Sequence, residues 1–522
     1  MKGDFSRITF DPLNHYSRVL SQQGRVTLDA DPNEQAAIFL HNLRTLARDL
    51  IGPRGGPLDR LGFIVHVSAG RPASLSIGKG HYYVDGILCE NDSVCDYAKQ
   101  PDYTPSAGDP LIKQLQAPSG QTFWLYLDVW ERHITYIEHD PIREAALNGP
   151  DTCTRSKVVW QVKAMNVVAL IEELTKKKGF VDAITPQTND TSKLSDKLEN
   201  DIKLLKSPDQ NACAAPLDAL TPTSDTRMAA RLDPRGLQIN DPCIISPDAK
   251  YRGAENQLYR VEIHRGSDAG PPTFKWSRDN GSVATPWIRT EGNDLIVANV
   301  RGFAAGAWVE LSNDTDELLG IPGTLVKLAR VESDRLSVDP GSVSDVTALV
   351  CPTSRGSTKV RRWDQTENDD ITLDAGAVPI VEVSAQDPHW IGLEDGVQVQ
   401  FASGGEYLSG DYWLIPARVA TGSIEWPREL NTDGSTKDWD PLPPHGVEHH
   451  HAPLGFLSWG NNEFKVSTCL CFIEPINSCT RAALIRPVRP IIAPRDAAKP
   501  ARDAEPVPAA ATPTTPKRRK PK

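Results

Sequence analysis

The chain has 522 residues, of which 39% are hydrophobic, 7% aromatic and 24% charged, a composition that supplies a sizeable core and excludes wholesale disorder. Net charge is −11, but residues 487–522 carry nine Lys/Arg against three Asp/Glu, so residues 1–486 hold 48 against 65, or −17. An acidic body argues against a nucleic-acid binder, because neutralising phosphates needs a basic face. The 42 prolines are about 8% of the sequence, against a typical ~5%, and favour turns and short strands over long helices. No run approaches the ~18 apolar residues of a membrane helix, and the opening MKGDFSRITF has no apolar region of the kind a secretory signal needs.

In chain order, the first readable element is a helix. Asp31-Pro32-Asn33-Glu34 combines a capping residue, proline in the first turn and glutamate beyond it. Ala36, Phe39, Leu43, Leu46 and Leu50 then fall on one stripe at helical spacing, and Gly52-Pro53 ends the run. That stripe must bury against something. The segment before it is polar yet studded with Phe5, Phe10, Tyr16, Val19 and Leu28, a pattern of chain laid along another surface, either its own body or a neighbouring subunit. Phe5, Phe10, Tyr16, Phe39 and Leu43 are the candidate partner-docking residues.

From 61 to 171 the pattern is strand-like: Phe123, Leu125, Leu127 and Val129 alternate with Trp124, Tyr126 and Trp130, and 158–171 is a further apolar run. Residues 172–206 are charged and helix-prone, an inserted helical arm that with the linker after it fills 172–236. Strand patterns return over 237–357, where Asp279-Asn280-Gly281 predicts a hairpin between TFKWS and SVATPW, and again over 358–486. Residues 487–522 read as a disordered Pro/Ala-rich basic tail. The expected architecture is mainly β: several antiparallel sandwich or barrel modules, an N-terminal docking segment and amphipathic helix over 1–60, and a small helical insertion.

Candidate chemistry is sparse. Nine scattered cysteines without a CxxC pair, in a chain with no export signal, predict reduced thiols rather than a disulfide framework. No phosphate-binding glycine loop and no nucleophile elbow is present, so no enzymatic activity and no organic cofactor is expected. The exception is PPHGVEHHHAPLG, where His445, His449 and His451 could bind a divalent metal. Pro443, Pro444 and Gly446 exclude a helical HExxH arrangement; in an extended chain His449 and His451 share a face and His450 points away. Trp276, Trp287, Trp308, Trp363, Trp390, Trp413, Trp426 and Trp439 could line a sugar platform, but tryptophan in sheets is mainly core.

The opening also resembles a known family. Gly3-Asp4-Phe5-Ser6-Arg7, Gln22-Gln23-Gly24-Arg25-Val26, Leu28-Asp29-Ala30-Asp31 and Asn33-Glu34-Gln35 are similar to the GDFSR…QQGRVxLDADWNEQ opening of a bacterial family encoded alongside phage-tail-like contractile injection systems, with Pro32 in place of the usual tryptophan. Further similarities lie at 140–163, 256–266, 273–283 and 445–455, and comparable openings occur in phage baseplate and tail-fibre proteins. The resemblance implies a structural or accessory part of the particle, at the baseplate or a fibre, assembled in the cytoplasm. Its implied partners are baseplate, tube or fibre subunits, or further copies of itself, and it supplies no catalytic residues. Two alternatives stay open: a fibre module that binds a cell-surface glycan, and a metal-dependent hydrolase or carried effector. A structural part predicts a large apolar face around residues 1–50; a glycan module predicts exposed aromatics in 358–475; an enzyme predicts His445, His449 and His451 converging with an acid.

Overall fold

A computed structural model describes residues 1–474 apart from 69, 71, 107, 148, 150, 184–188, 207–212, 214–223, 234–249, 353–355, 369–370, 385–388 and 431–435. The basic tail read over 487–522 lies outside the described residues. The fold is mainly β, with several antiparallel sheets, one of them closed into a barrel.

Helix α1 spans Ala30–Ile51, and Gly52 ends it with φ near +90°, its N–H donating to the Arg48 carbonyl. Two long strands follow, β1 (Thr122–Ile134) and β2 (Arg155–Asn166), paired from Phe123 opposite Asn166 to Ile134 opposite Arg155. Strand β2 runs directly into α2 (Val167–Ala183), which packs with α3 (Asn189–Lys206). Then come β3 (Gln257–Arg265), β4 (Thr273–Ser277), β5 (Ala284–Glu291), β6 (Asp294–Val297), β7 (Trp308–Asn313), β8 (Thr324–Glu332), β9 (Arg335–Val338) and β10 (Thr358–Trp363). Strands β11 (Tyr412–Arg418), β12 (His450–Gly460) and β13 (Glu463–Thr468) complete the sheets discussed below.

The alternation in β1 is a consequence of burial on both faces. Phe123, Leu125, Leu127 and Val129 point into one core with Trp160, Val162, Ala452 and Leu454. Trp124, on the other face, stacks on Phe456, ring centroids 6.2 Å apart. Leu170, Leu174, Leu198 and Leu205 of the helical pair cover that side. The charged arm read over 172–206 is therefore amphipathic, with its apolar side forming the lid of a sheet.

Sheet membership does not follow the sequence segments. The β13-β12-β1-β2 sheet joins 122–166 to 450–468, and β3 and β4 pair with each other while β3 also pairs with β11. The boundaries read at 171, 236 and 357 mark changes in composition, whereas the sheets are closed by strands from far along the chain. Strands β5 to β10 form the barrel in the order β5-β6-β9-β8-β7-β10, filled by Trp287, Val309, Val326, Leu336 and Val360.

Two expectations are corrected. The Asp279-Asn280-Gly281 turn forms, with positive φ at Asn280 and Gly281, but no hairpin is built on it: β4 pairs with β3, while β5 pairs with β6 and β10. Each strand is already paired elsewhere, β4 with β3 and with Val378–Pro379, β5 with β6 and β10, and the Asn280 side-chain amide donates to the Gly3 carbonyl at 2.9 Å and the Met1 carbonyl at 3.2 Å. Cys213 and Cys469, read as reduced thiols, form a disulfide, because the fold brings their Cα atoms to 5.4 Å, within the reach of a bridge. Cys89, Cys95, Cys153, Cys351 and Cys471 are free.

Candidate functional site

The N-terminal segment divides into an anchored part and a presented part. The Met1 amine lies 3.0 Å from the Tyr412 hydroxyl, and burial, followed by the Arg260 and Lys2 charges, pushes its pKa down to about 4. Lys2 reaches Glu262 at 2.9 Å. Phe5 meets the His133 ring edge-on at 5.9 Å. The Ser6 N–H donates to Asp29 at 2.9 Å, and the Ser6 carbonyl accepts from Arg418 at 2.9 Å. Phe10 sits against His41 at 5.7 Å. Phe5 and Phe10 are thus half-buried in cis.

Beyond Phe10 the pattern reverses. Tyr16 is 61% exposed, Leu20 69% and Val26 84%. On α1, Phe39, Leu43, Leu46 and Leu50 are 61%, 63%, 56% and 73% exposed. The helix packs through its other side, with Ala30 and Ile38 buried and Arg44 paired to Glu131 at 2.9 Å. Contact on that side is backbone to backbone at Gly86, where a Cβ would collide with the Arg44 carbonyl. The stripe identified from its spacing is therefore the outward face of a helix already fixed to the body. Tyr16, Phe39 and Leu43 are presented, and Phe5 and Phe10 are not.

The histidine-rich loop resolves differently from its sequence grouping. His445 pairs by backbone with Tyr412, N–H to carbonyl at 2.7 Å and 2.9 Å, with the two rings 5.6 Å apart. It takes no part in the cluster of His449 and His451. Those two meet Asp128: His449 Nδ1 lies 2.7 Å and His451 Nε2 3.4 Å from Asp128 Oδ1. His450 turns away to Asp85 at 3.0 Å. Register explains the convergence, since His451 and Asp128 are cross-strand partners and His449 precedes by two on the same face. Lys163, on the neighbouring strand, donates to Asp128 Oδ2 at 2.7 Å. Burial alone would raise the Asp128 pKa, but the His449 hydrogen bond and the Lys163 charge hold it at about 2. Asp128 was missed from sequence, although a carboxylate inside the apolar run 123–130 was a readable signal. A charge there cannot stay in a core without a partner.

Where the anchored N-terminus, the sheets and the barrel meet there is a cavity of about 1150 Å³, bordered by Lys2, Arg132, Glu262, Lys275, Lys359 and His449. Its charges are mutually matched. Lys275 lies 2.5 Å from Glu310 and 3.3 Å from Glu262. Arg260 lies 2.6 Å from Glu262. Trp363 donates its indole N–H to Glu310 at 2.9 Å. Despite burial, Lys2, Arg260 and Lys275 hold Glu262 well below the usual carboxylate range. Lys2 itself is lowered, by burial first and by Lys275 and Arg260 crowding the same carboxylate. A second knot joins Lys359 to Glu138 and, at 2.8 Å, to Glu317, which also takes Arg132 at 3.0 Å. These groups fasten the modules together. Trp276, Trp287, Trp308, Trp363, Trp413 and Trp426 are buried, and Trp390 is half-buried under the Arg231 guanidinium, 4.0 Å from its ring centre.

No curated protein matches the chain. Among solved structures, the crystal structure of TssK is matched with a TM-score of 0.17 and 7% identity, over 75% of this chain and 99% of that one. A profile described as a family of unknown function (DUF6519) matches residues 1–522, and the chain belongs to that family.

Proposed function

We propose that the protein is a structural component of a phage-tail-like contractile injection particle, joined to a neighbouring baseplate, tube or fibre subunit through α1 and the segment before it. The observation that carries this reading is the outward stripe of Phe39, Leu43, Leu46 and Leu50, each more than half exposed on a helix whose opposite side is fixed to the body. Isolated exposed leucines are ordinary; a continuous row of them marks an interaction face. The spacing Ala36, Phe39, Leu43, Leu46, Leu50 alternates three and four, the seam a second helix packs into. Tyr16, Leu20 and Val26 in the segment before the helix are exposed as well, and a standard interface buries ~800 Å² per partner. The particle itself is supported by the resemblance of residues 3–35 to proteins encoded with such systems.

The test is co-purification from cells carrying the native gene neighbourhood, comparing wild type with a Leu43→Glu/Leu46→Glu variant. Wild type is expected to bring down particle subunits, and the variant, folded by circular dichroism, is expected to lose them. Equal recovery with both proteins would contradict docking through α1.

A further inference from the structure

We propose that Asp128, His449 and His451 form a binding site for one divalent transition-metal ion of the zinc class, opening on the central cavity. The inference is independent of the docking reading. Each residue offers one ligand atom, and the three atoms lie within 4.8 Å of one another. Two imidazoles and one carboxylate are a donor set suited to zinc and its neighbours. In a tetrahedral zinc site with bonds near 2.0–2.1 Å, ligand atoms stand about 3.3 Å apart. The observed 2.7 Å and 3.4 Å separations from Asp128 Oδ1 lie on either side of that value, and the third separation, between the two imidazoles, is within 4.8 Å.

The surroundings are those of a built site. All three residues stand on, or at the start of, paired strands, so rigid backbone places them. Trp130 packs on His449 at 4.7 Å and Tyr126 on His451 at 5.7 Å, which confines both rings. Lys163 occupies Asp128 Oδ2 at 2.7 Å and leaves Oδ1 facing the imidazoles, the outer-shell support that orients a ligating carboxylate. Asp128 is buried and the His451 side chain is 6% exposed, while the His449 side chain is about a third exposed and borders the cavity. Three protein ligands with a fourth position toward solvent would leave the ion able to take water or an anionic group. A second cluster of possible ligands among the described residues, Glu138, Asp314 and Glu317, is already filled by Lys359 and Arg132.

The experiment uses tag-free full-length protein, stripped with chelator and titrated with Co²⁺. Calorimetry gives the stoichiometry, and visible absorption reports tetrahedral cobalt. Wild type is expected to bind one equivalent, with the tetrahedral band displaced by Zn²⁺. His449→Ala, at the most exposed of the three positions, is expected to weaken binding at least about tenfold while His450→Ala leaves it unchanged. Folding of each variant is checked by circular dichroism. No cobalt band in wild type, or binding that survives His449→Ala, would overturn the site. So would equal losses with His449→Ala and His450→Ala. Where His449→Ala does not fold, His449→Gln takes its place under the same criterion.

Discussion

Lys2 Nζ stands 2.9 Å from Glu262 Oε1, and the same glutamate takes Arg260 at 2.6 Å and Lys275 at 3.3 Å. The start of the chain is thereby part of a buried charge cluster in β3, inside the body it precedes. Lys2→Ala removes one of three cations from a carboxylate that stays buried and ionised. Because Arg260 and Lys275 remain, the cost is expected at about 1–3 kcal/mol, below the 3–5 kcal/mol of a fully orphaned charge. Denaturant unfolding checks it, and a Lys2→Ala/Glu262→Gln double variant should lose less than the sum of the two single changes.

Asn280 provides the second anchor for that segment. Its amide donates to Met1 and Gly3 from a backbone at positive φ. Asn280→Gly should accept the backbone conformation but lose those two hydrogen bonds and the one Asn280 Oδ1 accepts from Arg260 at 3.3 Å, costing about 1–3 kcal/mol. Asn280→Ala should cost more, because it adds conformational strain. Thermal melts of the pair separate the two contributions; equal effects would assign the whole loss to the hydrogen bonds.

The two sides of α1 should respond oppositely. Ile38 is 1% exposed, and Ile38→Ala is expected to cost about 2–5 kcal/mol in stability. Leu43→Ser, on the outward stripe, should change stability by under about 0.5 kcal/mol, while reducing association with the partner. Unfolding curves and sedimentation on the same preparations read both effects.

Glu394 gives a pH signature. Burial pushes its pKa up to about 7, with Asp364 and Asp395 adding to the effect and Arg278, at 2.6 Å, opposing it. A carboxyl whose folded pKa exceeds its ordinary 4.5 contributes stability that is complete below 4.5 and lost as pH rises through about 7. Wild type should therefore lose stability relative to Glu394→Gln between pH 5 and pH 8. A stability difference between the two that stays constant over that range would contradict the assignment.

Much of the local structure was legible in the sequence, and little of the assembly was. The helix over 30–51, the two-sided alternation of 123–130 and the amphipathic arm follow from periodicity, which is a local property. Periodicity also found the stripe on α1 but could not say whether the body or a partner covers it, because Ala30 and Ile38 supply an inward face from few residues. The Asp279-Asn280-Gly281 turn was readable, whereas the sheets it joins were not. Pairing of 450–460 with 122–134 is set by register across more than three hundred residues. The same non-local pairing explains the site. His449 and His451 were found by residue type, Asp128 was hidden until β1 and β12 met, and His445 was grouped by proximity in sequence although its backbone pairs with Tyr412 in another sheet. The Cys213–Cys469 bridge was invisible for the same reason.

The central claim is that the outward stripe of α1 meets another subunit. The most direct measurement places a photo-crosslinking amino acid at Leu43 in cells carrying the intact gene neighbourhood, with the same probe at Val350, an exposed position in the segment before β10, as control. The account predicts a discrete adduct from position 43, identified by mass spectrometry as an injection-particle subunit, and none from position 350. No adduct at position 43, or the same adducts from both positions, would contradict it.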